Sequence, residues 1–567
     1  MRWSLAIARL RRTHVGEWPA RVRGLARRFL DRVQMPVPPR PGPLAPLPLP
    51  TIPKADVTFD VPSPCPLARM RANPDRPACE GPEAGSAHDV DVLDLPFDPR
   101  VRWEAARLQD LAWWAAQGAP WASDEALTFV ARHPVGQGLH WTSALEVALR
   151  LISLAVLAHH QPSDALARTI AAHAAYVARH PSVGTSARNH RVGELVGLAV
   201  AATVLPDCQD APAWMAEAET LGAVLRDQLH ADGLGVEQST HYLCFILELG
   251  WIAWHCDVPS LAGPLGRGLR ALRCLQDATG EALALGDADG GRAWPHSPFD
   301  PTPYADQVVQ RLTSVLGPSP APKGHHRFPR AGLTVLRDQG CVVAFDHGPV
   351  GEPHLGGHGH DDQLALWLHL TDGPAIGGRG TGSYHDHAVR AFHRSAWAHA
   401  TLTALNRTPS LPHAHPFLWR RRAQARLEQV DLEAGRVLAS HDGYAEQGLR
   451  LAREVRLVSV TLLIDDQVHG HGPVELTWMW PLHPRLSARI EGLGIVVHDG
   501  ERDRLTIDPP PGFTIELLRE GNRPGPGWHA TGYGRWVPAT TLRISGSTMA
   551  PGRFLTRIGV LDPRHRW

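Results

Sequence analysis

The chain has almost no lysine and no excess of charge of either sign. Its 57 basic residues balance 57 acidic ones, and only Lys54 and Lys323 are lysines. This balance gives no sign of the basic surface that nucleic-acid binding requires, so no nucleic-acid partner is expected. We attribute the preference for arginine to a GC-rich genome rather than to function.

Long apolar runs and paired cysteine motifs are also missing. No stretch of about 18 apolar residues occurs, so we expect no membrane span. The basic N-terminal segment has too short an apolar run for a secretion signal. The seven cysteines are scattered without a CxxC pair, which indicates reduced thiols packed in cores. These features favour a cytoplasmic protein.

The patterning changes along the chain, whose 567 residues are too many for one compact core. We expect a basic helix over 1–34 and a Pro-rich linker or strap over 35–100. Apolar residues at helical spacing follow over 101–325, whereas a period of two dominates 326–567. The sequence therefore predicts a helical domain followed by a β domain.

The apolar periodicity places the helices at 103–118, 141–160, 163–180, 190–205, 214–229, 239–255 and 259–275. Several of them are apolar on more than one face and need neighbours on both sides. Antiparallel helical hairpins, closed fully or partly into a toroid, would supply those neighbours. No helix separates the later β-like runs, so we expect a mostly antiparallel sheet, folded as a sandwich.

Titratable side chains are concentrated in 357-GHGHDDQLAL-366, before an apolar run typical of a buried strand. Buried polar groups need partners, so this segment is either a His-rich loop or a site. We expect His358 and His360 to point to opposite faces, one toward a substrate and the other toward the interior. A buried His360 would require a carboxylate or a metal, and His399 is among the histidines that could complete a zinc site.

Two further polar groups lie next to predicted helices or turns. Asn189 and His190 precede a helix that is predicted to begin near Arg191, and either side chain could simply cap it. The turn 285-LGDADGGR-292 carries acidic side chains but lacks the further ligands of an EF-hand. We interpret it as a turn that braces a site.

A third polar group leads into the apolar helix predicted at 239–255. It contains one of only six tyrosines of the chain, which makes it more informative than a histidine cluster would be. The alternative is that Ser239 merely caps the helix. Its members are Glu237, Gln238, Ser239, His241 and Tyr242.

Together, these motifs resemble the heparinase II/III-type polysaccharide lyases and their alginate-lyase relatives. The resemblance runs over most of the chain, and its stretches are 139–154, 185–198, 237–243, 285–292, 346–366 and 390–402. It implies an N-terminal incomplete (α/α) toroid followed by a C-terminal antiparallel β-sandwich. This agrees with the change of period described above.

The resemblance implies β-elimination in an acidic, uronate-containing polysaccharide or oligosaccharide. Such a site must stabilise charge on the sugar carboxylate while the C5 proton leaves, and it must transfer protons. By resemblance, Asn189 and His358 bind and neutralise the carboxylate. Tyr242 serves as base, acid or both, and His190 is the candidate second base.

The resemblance also assigns the neighbours of these residues. Glu237 and Gln238 are expected to contact the substrate. His358 is expected to face the sugar, while His360 and Asp362 hold the loop.

The sequence departs from metal-containing relatives at one ligand position. In those relatives, a His of the His-x-His pair is joined by an Asp from an Asp-Pro-Gly turn and a His from a His-Asn-Thr stretch. Here His360 and His399 remain, but Gly378 stands where the Asp would be. Zinc is therefore expected only if another side chain substitutes. The candidates are Asp361, Asp362, His385 and His387.

The sequence leaves two other functions open. A catalytically idle relative that binds a glycan in capsule or exopolysaccharide production would keep the fold. The missing Asp favours this alternative, whereas Tyr242 opposes it, because a binder needs no base. A glycoside hydrolase on the same fold would need two carboxylates about 5–9.5 Å apart. Its candidates are Glu194, Glu237 and Asp287.

Overall fold

The structure of the protein is a computed structural model. It describes residue 31, residues 37–48, 86, 87, 90 and 92, and residues 95–184, 187–297, 299–320 and 322–561. Apart from residue 31, the helix predicted over 1–34 lies outside the described residues, as does much of the linker predicted over 35–100.

Helices occupy the chain from residue 99 to residue 316. They are α1 (Pro99–Ala106), α2 (Gln109–Ala116), α3 (Ala122–Arg132), α4 (Ala144–His160), α5 (Asp164–Arg179), α6 (Arg188–Val204), α7 (Ala211–Ala218), α8 (Leu221–Gln228), α9 (Thr240–His255), α10 (Ala262–Leu275) and α11 (Tyr304–Leu316). None of the helices in the described part of the chain combines the length and apolar character needed to cross a membrane.

Two segments predicted as single helices are each divided. Leu108 has a φ of 58° between α1 and α2, and this left-handed conformation cannot continue a right-handed helix. The segment 214–229 is likewise divided into α7 and α8. Helices α3 and α11 were not predicted. The other predicted helices are confirmed within a few residues at each end.

Helix α4 shows why several helices are apolar on more than one face. Its side chains are buried from Ala144 to Ala158, and it packs against α2, α5 and α6. The one acidic side chain in its first turn, Glu146, is buried against Arg107 at 2.7 Å. Burial on several sides therefore requires both apolar neighbours and a partner for each charge.

Strands begin at His326. They are β1 (His326–Phe328), β2 (Leu333–Asp338), β3 (Cys341–Asp346), β4 (Leu366–Leu370), β5 (Gly373–Ile376), β6 (Leu402–Ala404), β7 (Leu411–Pro412), β8 (Trp419–Arg421), β9 (Ala425–Asp431), β10 (Arg436–His441), β11 (Arg450–Val458), β12 (Thr461–Pro481), β13 (Ser487–Glu491), β14 (Gly494–His498), β15 (Asp503–Asp508), β16 (Thr514–Leu518), β17 (Trp528–Gly532), β18 (Arg535–Pro538) and β19 (Thr541–Val560). A short helix, α12 (His387–His393), lies between β5 and β6.

The strands form an antiparallel sandwich, as predicted. One sheet has the order β1-β2-β3-β4-β5. The other has the order β13-β14-β15-β19-β12-β11-β10-β9, and β16 and β6 pair with β19 and β12. Side chains of both sheets, such as Phe345 and Leu368 of the first and Trp478 and Ile544 of the second, belong to one buried apolar cluster.

The chain forms two compact units. The first comprises the described residues up to Gln228 with Phe245–Leu265 and Gly291–Pro301. The second comprises Leu229–Cys244, Gly266–Gly290 and the described residues from Thr302 onward. The second unit therefore contains the sandwich together with the segments that carry Tyr242 and Asp287.

Candidate active site

The buried carboxylate of Asp287 is the centre of a polar cluster in the second compact unit. Its Oδ2 lies 2.9 Å from Nδ1 of His358, and its Oδ1 lies 2.9 Å from Nε2 of His360. The guanidinium of Arg390 donates to both oxygens, with 3.0 Å from Nη2 to Oδ2. Burial alone would raise the pKa of Asp287, but the charge of Arg390 and the histidine hydrogen bonds hold it well below its usual range. Asp287 is therefore an anion that orients two histidines.

His358 and His360 lie in an irregular loop, because β4 begins only at Leu366. The expectation that they point to opposite faces is wrong, because residues two apart share a face even on a strand, and in this loop both rings reach the same carboxylate. The loop is tightly folded, since a Cβ on Gly359 would lie 2.1 Å from the backbone nitrogen of Gly351. The folded loop holds both histidines at the Asp287 carboxylate, with His358 partly exposed and His360 buried.

The imidazole of His358 stacks on the phenol of Tyr242, with ring centroids 3.8 Å apart and an interplanar angle of 25°. Ser239 fixes this arrangement from the start of α9. Its hydroxyl accepts a hydrogen bond from the backbone nitrogen of Tyr242 at 3.1 Å and donates to the backbone oxygen of Asp287 at 2.6 Å. The alternative interpretation, that Ser239 caps the helix, is therefore confirmed. The same hydroxyl also links the Tyr242 segment to the Asp287 segment.

A second carboxylate lies at the hydroxyl of Tyr242. The Tyr242 hydroxyl donates to Oδ2 of Asp289 at 2.6 Å. The hydroxyl of Tyr384 lies 3.3 Å from the same carboxylate oxygen and 3.4 Å from the Tyr242 hydroxyl. Burial, together with the charges of Asp287 and Asp289, raises the pKa of Tyr384 well above its usual value, so Tyr384 keeps its proton.

The charge state of His358 is set by its acidic neighbours. Burial would lower its pKa, but the hydrogen bond to Asp287 and the charge of Glu237 raise the pKa above its usual value. Nε2 of His358 lies 3.7 Å from the Glu237 carboxylate, and its side chain is 16% exposed. The cluster therefore favours an imidazolium with an edge open to solvent. The other predicted substrate ligand, Gln238, donates its side-chain amide to the backbone oxygen of Ala331 at 3.1 Å.

Asn189 and His190 lie in the first compact unit, in the first turn of α6. Asn189 is buried and His190 is half-buried. The N-cap of the helix is Ala187, with no side-chain cap bond, so the capping alternative for these two residues is wrong. Further along α6, Glu194 accepts hydrogen bonds from the backbone nitrogen and hydroxyl of Ser182 at 2.9 and 2.6 Å. The catalytic roles of Asn189 and His190 stay predictions.

The sequence did not identify two residues of the cluster, Tyr384 and Arg390. Each lies about a hundred residues or more from its partners among Asp287, Asp289 and Tyr242, so no local spacing links them. The scarcity of tyrosine was a usable signal for Tyr384, because it is one of only six in the chain. Arg390 opens the 390–402 stretch, but its position gave no indication of a buried ion pair.

Three side chains, His360, Asp362 and His399, offer ligand atoms within 4.8 Å of one another. Zinc–nitrogen bonds of about 2.0–2.1 Å place tetrahedral ligands about 3.3 Å apart. Nδ1 of His360 lies 3.1 Å from Nε2 of His399, which is near that separation. Burial keeps the pKa of both histidines below the usual value, so both are available as neutral imidazoles.

The third ligand does not fit in the same way. Asp362 shares a hydrogen bond with the buried carboxyl of Asp346, and burial raises the pKa of both groups, so the pair holds a proton. A Cβ on Gly378 would lie 3.3 Å from Nε2 of His399, yet glycine supplies no ligand there. The residues present therefore offer two nitrogens and one engaged carboxyl, short of the three free protein ligands of a zinc site.

Two family models match the sequence. The model described as heparinase II/III N-terminus matches residues 114–254, and the model described as heparinase II/III-like, C-terminal, matches residues 320–558. Together they cover more than half of the 567 residues. The comparison with curated proteins gave no match.

Solved structures of polysaccharide lyases resemble the chain over most of its length. A mutant of heparan sulfate lyase HepC from Pedobacter heparinus is 17% identical, with a TM-score of 0.56, over 90% of this chain and 85% of that chain. Heparinase III is 13% identical, with a TM-score of 0.65, over 91% of this chain and 88% of that chain. The Streptomyces coelicolor A3 chondroitin AC lyase in complex with chondroitin sulphate is 14% identical, with a TM-score of 0.53, over 88% of this chain and 79% of that chain. At these identities the likeness concerns the fold, and the predicted toroid followed by a sandwich is confirmed.

Proposed function

Because the chain belongs to the heparinase II/III-like family and is a polysaccharide lyase, we propose that it cleaves a uronate-containing glycan by β-elimination. We assign the reaction to the cluster around His358 and Tyr242. The observation that carries this assignment is the stacking of the two rings at 3.8 Å, which brings a cation and a phenol to one place. The matched solved lyases are named for heparan sulfate and chondroitin, and an acidic glycan of that class is the proposed substrate.

His358 would neutralise the carboxylate of the reacting uronate. Its imidazolium is held by Asp287, and its exposed edge can donate a hydrogen bond to the sugar carboxylate. Neutralisation lowers the energy of the carbanion-like transition state, in which charge develops on that carboxylate. Asn189 is proposed, from the resemblance alone, to add a second hydrogen bond there.

Tyr242 would move the protons. As a phenolate, its oxygen takes the C5 proton, the C5–H electron pair forms the C4–C5 double bond, and the C4–O bond breaks. The departing oxygen then receives a proton, either from the Tyr242 hydroxyl or from His190, for which the resemblance is the only support.

Two neighbours of Tyr242 suit this cycle. Asp289 accepts the phenolic hydrogen bond at 2.6 Å and can receive the proton when the phenolate forms. Tyr384 keeps its own proton and can donate to the phenolate oxygen, which stabilises the negative charge. No step of this cycle requires a metal ion.

Hydrolysis is less well supported by the same residues. A hydrolase needs one carboxyl that can donate a proton and one free carboxylate. Asp287 is fully buried and bound by Arg390 and two histidines, so it can serve as neither. Of the other two candidates, Glu194 lies in the first compact unit and Glu237 lies 3.7 Å from His358, while the Asp289 carboxylate already accepts the Tyr242 hydroxyl.

The proposal is tested by incubating the purified protein with heparan sulfate, chondroitin sulfate, hyaluronan, alginate and the capsular glycan of its host. Ultraviolet absorbance of the unsaturated uronate is recorded beside the release of reducing ends. We expect both signals to rise together with the wild type and both to be lost with Tyr242→Phe. Reducing ends without absorbance would indicate hydrolysis, and neither signal on any of these glycans would favour the idle, glycan-binding alternative.

A further inference from the structure

The hairpin of β17 and β18 contacts the segment that carries Tyr384. At its turn, the hydroxyl of Tyr533 accepts a hydrogen bond from the backbone nitrogen of Tyr384 at 2.7 Å, and the two rings lie 5.4 Å apart. The backbone nitrogen of Ala530 donates to the backbone oxygen of Arg379 at 2.9 Å. The hairpin is therefore fixed beside the tyrosine pair of the candidate active site, within one compact unit.

Two indoles of this hairpin hold Arg523. Ala530 pairs with Trp536, and Trp528 lies two residues before Ala530, so both indoles are on the same face. The Arg523 guanidinium carbon lies 5.6 Å from the Trp528 ring centroid and 5.0 Å from that of Trp536, within cation–π range. Trp536 is fixed in turn by a 3.3 Å hydrogen bond to His393. Arg523 is exposed but positioned, so binding a ligand would immobilise it at low entropic cost.

Several exposed arginines of the sandwich have no acidic partner in the described residues, and two of them, Arg523 and Arg535, lie at this hairpin. Arg523 and Arg535 are exposed, and neither forms an ion pair within the described residues. Arg489, Arg543 and Arg553 are each paired with an aspartate or glutamate. Arg535 lies two residues after Tyr533 and pairs with Gly532 in the hairpin. A guanidinium without a carboxylate partner presents its donors to any anion that approaches.

We propose that the β17–β18 hairpin is an anion-binding glycan subsite, in which Arg523 and Arg535 bind carboxylate or sulfate groups of sugars next to the one that is cleaved. The inference rests on the proposed function and adds to it the residues that select acidic chains. Indoles and Tyr533 offer flat apolar faces for sugar rings, while the arginines supply charge-assisted hydrogen bonds. The subsite acts on affinity, because neither arginine contacts the reacting groups of the cluster.

The test uses Arg523→Ala, Arg535→Ala and the double variant in the full chain. Arg426→Ala is the matched control, because Arg426 is an arginine of β9 whose side chain is 80% exposed. On the most readily cleaved acidic glycan, we expect KM to rise about tenfold in the double variant, with a much smaller fall in kcat. The slope of log KM against log salt concentration should become shallower, since fewer ions are released on binding. Arg535 makes no ion pair or ring contact in the described structure, so its variant also controls for loss of folding.

Binding is measured separately, by retardation of each variant in native gels that contain heparan sulfate, chondroitin sulfate or neutral dextran. Retardation by the acidic glycans that weakens in the arginine variants, but not in Arg426→Ala, supports the subsite even if no elimination is found and the proposed function fails. If KM, the salt slope and the retardation are unchanged in the double variant, the subsite proposal is wrong, whereas the proposed lyase function is unaffected. Equal retardation by dextran, or none by either acidic glycan, would also overturn it.

Discussion

The imidazole of His358 lies almost parallel to the phenol of Tyr242, 3.8 Å away between centroids. Asp287 holds the imidazole, Asp289 holds the phenol, and both aspartates come from one turn. The two groups proposed to neutralise the uronate and to move its protons are therefore fixed by a single short segment.

Replacement of Tyr242 by Phe should abolish most turnover without unfolding the protein. The ring stack is retained, but the group that transfers the proton is lost, and general acid–base catalysis contributes about 10²- to 10⁴-fold. We expect kcat to fall by about that factor, whereas the lost hydrogen bond costs only about 1 kcal/mol of stability.

The measurement is kcat by ultraviolet absorbance, with the melting temperature recorded alongside. Tyr444→Phe is the matched control, because its hydroxyl donates to the backbone oxygen of Arg407 at 2.7 Å, within the sandwich core. It should lose comparable stability and keep its kcat. A Tyr242→Phe enzyme with normal kcat would contradict the assignment.

Tyr384→Phe should reduce kcat by less than Tyr242→Phe does. It removes a donor to the phenolate and leaves the base in place, and loss of one donor to a developing anion costs about 10²- to 10³-fold. KM should change little, since Tyr384 is not proposed to bind the uronate. Steady-state kinetics of the two variants on one glycan give the comparison, and an unchanged kcat for Tyr384→Phe would remove it from the mechanism.

Asp287→Asn should destabilise the second compact unit strongly. The substitution leaves the Arg390 guanidinium buried without its anion, and breaking a buried pair costs about 3–5 kcal/mol. The free energy of unfolding is read from denaturant titrations. The double variant Asp287→Asn, Arg390→Met should recover part of the loss, because it removes the uncompensated charge. A loss below about 1 kcal/mol in the single variant would mean that the ion pair does not organise the cluster.

Glu194 should make stability depend on pH. Burial raises its pKa from 4.5 to about 7 in the folded protein, in spite of hydrogen bonds from Ser182. A carboxyl whose pKa is raised on folding contributes stability that is fully present below 4.5 and is lost as the pH rises through 7. Unfolding free energies measured across this range should therefore fall with pH. The fall should be smaller in Glu194→Gln, and an identical pH dependence in both proteins would contradict the assignment.

Zinc should be substoichiometric in the purified protein, because Gly378 supplies no ligand and Asp362 is engaged with Asp346. Gly378→Asp places a carboxylate close to His399, so this variant should retain more zinc than the wild type. Metal content after dialysis is measured by elemental analysis. Adding His399→Ala to Gly378→Asp should remove the gain, and one firmly held zinc per wild-type chain would show that the ligand set is complete as it stands.

Predictability from the sequence depended on whether a feature is local. The long apolar helices were predictable from their periodicity, and the serines that cap two of them, Ser143 and Ser163, lie within the first three residues of the predicted segments. The break at Leu108 was not predictable, because its left-handed conformation is set by the surrounding packing rather than by residue type.

In the candidate site, too, local motifs were predictable from the sequence and contacts between distant residues were not. Tyr242 and His358 were selected by motif, and the acidic turn that was expected to brace them contacts both side chains. The common carboxylate of His358 and His360 was not predicted, because the two histidines were expected on opposite faces, whereas residues two apart share a face of a strand. Arg390 reaches Asp287 from a distant part of the chain, so only the folded structure brings them together.

The most direct test of the central claim is the mass spectrum of the oligosaccharides released from the best-cleaved acidic glycan. If His358 and Tyr242 carry out β-elimination, each new non-reducing end will be unsaturated, and each such product will be lighter by one water than the corresponding hydrolysis product. Products from Tyr242→Phe should be lacking under the same conditions. Saturated products that carry the full water mass would contradict β-elimination and favour hydrolysis by a pair of carboxyl groups.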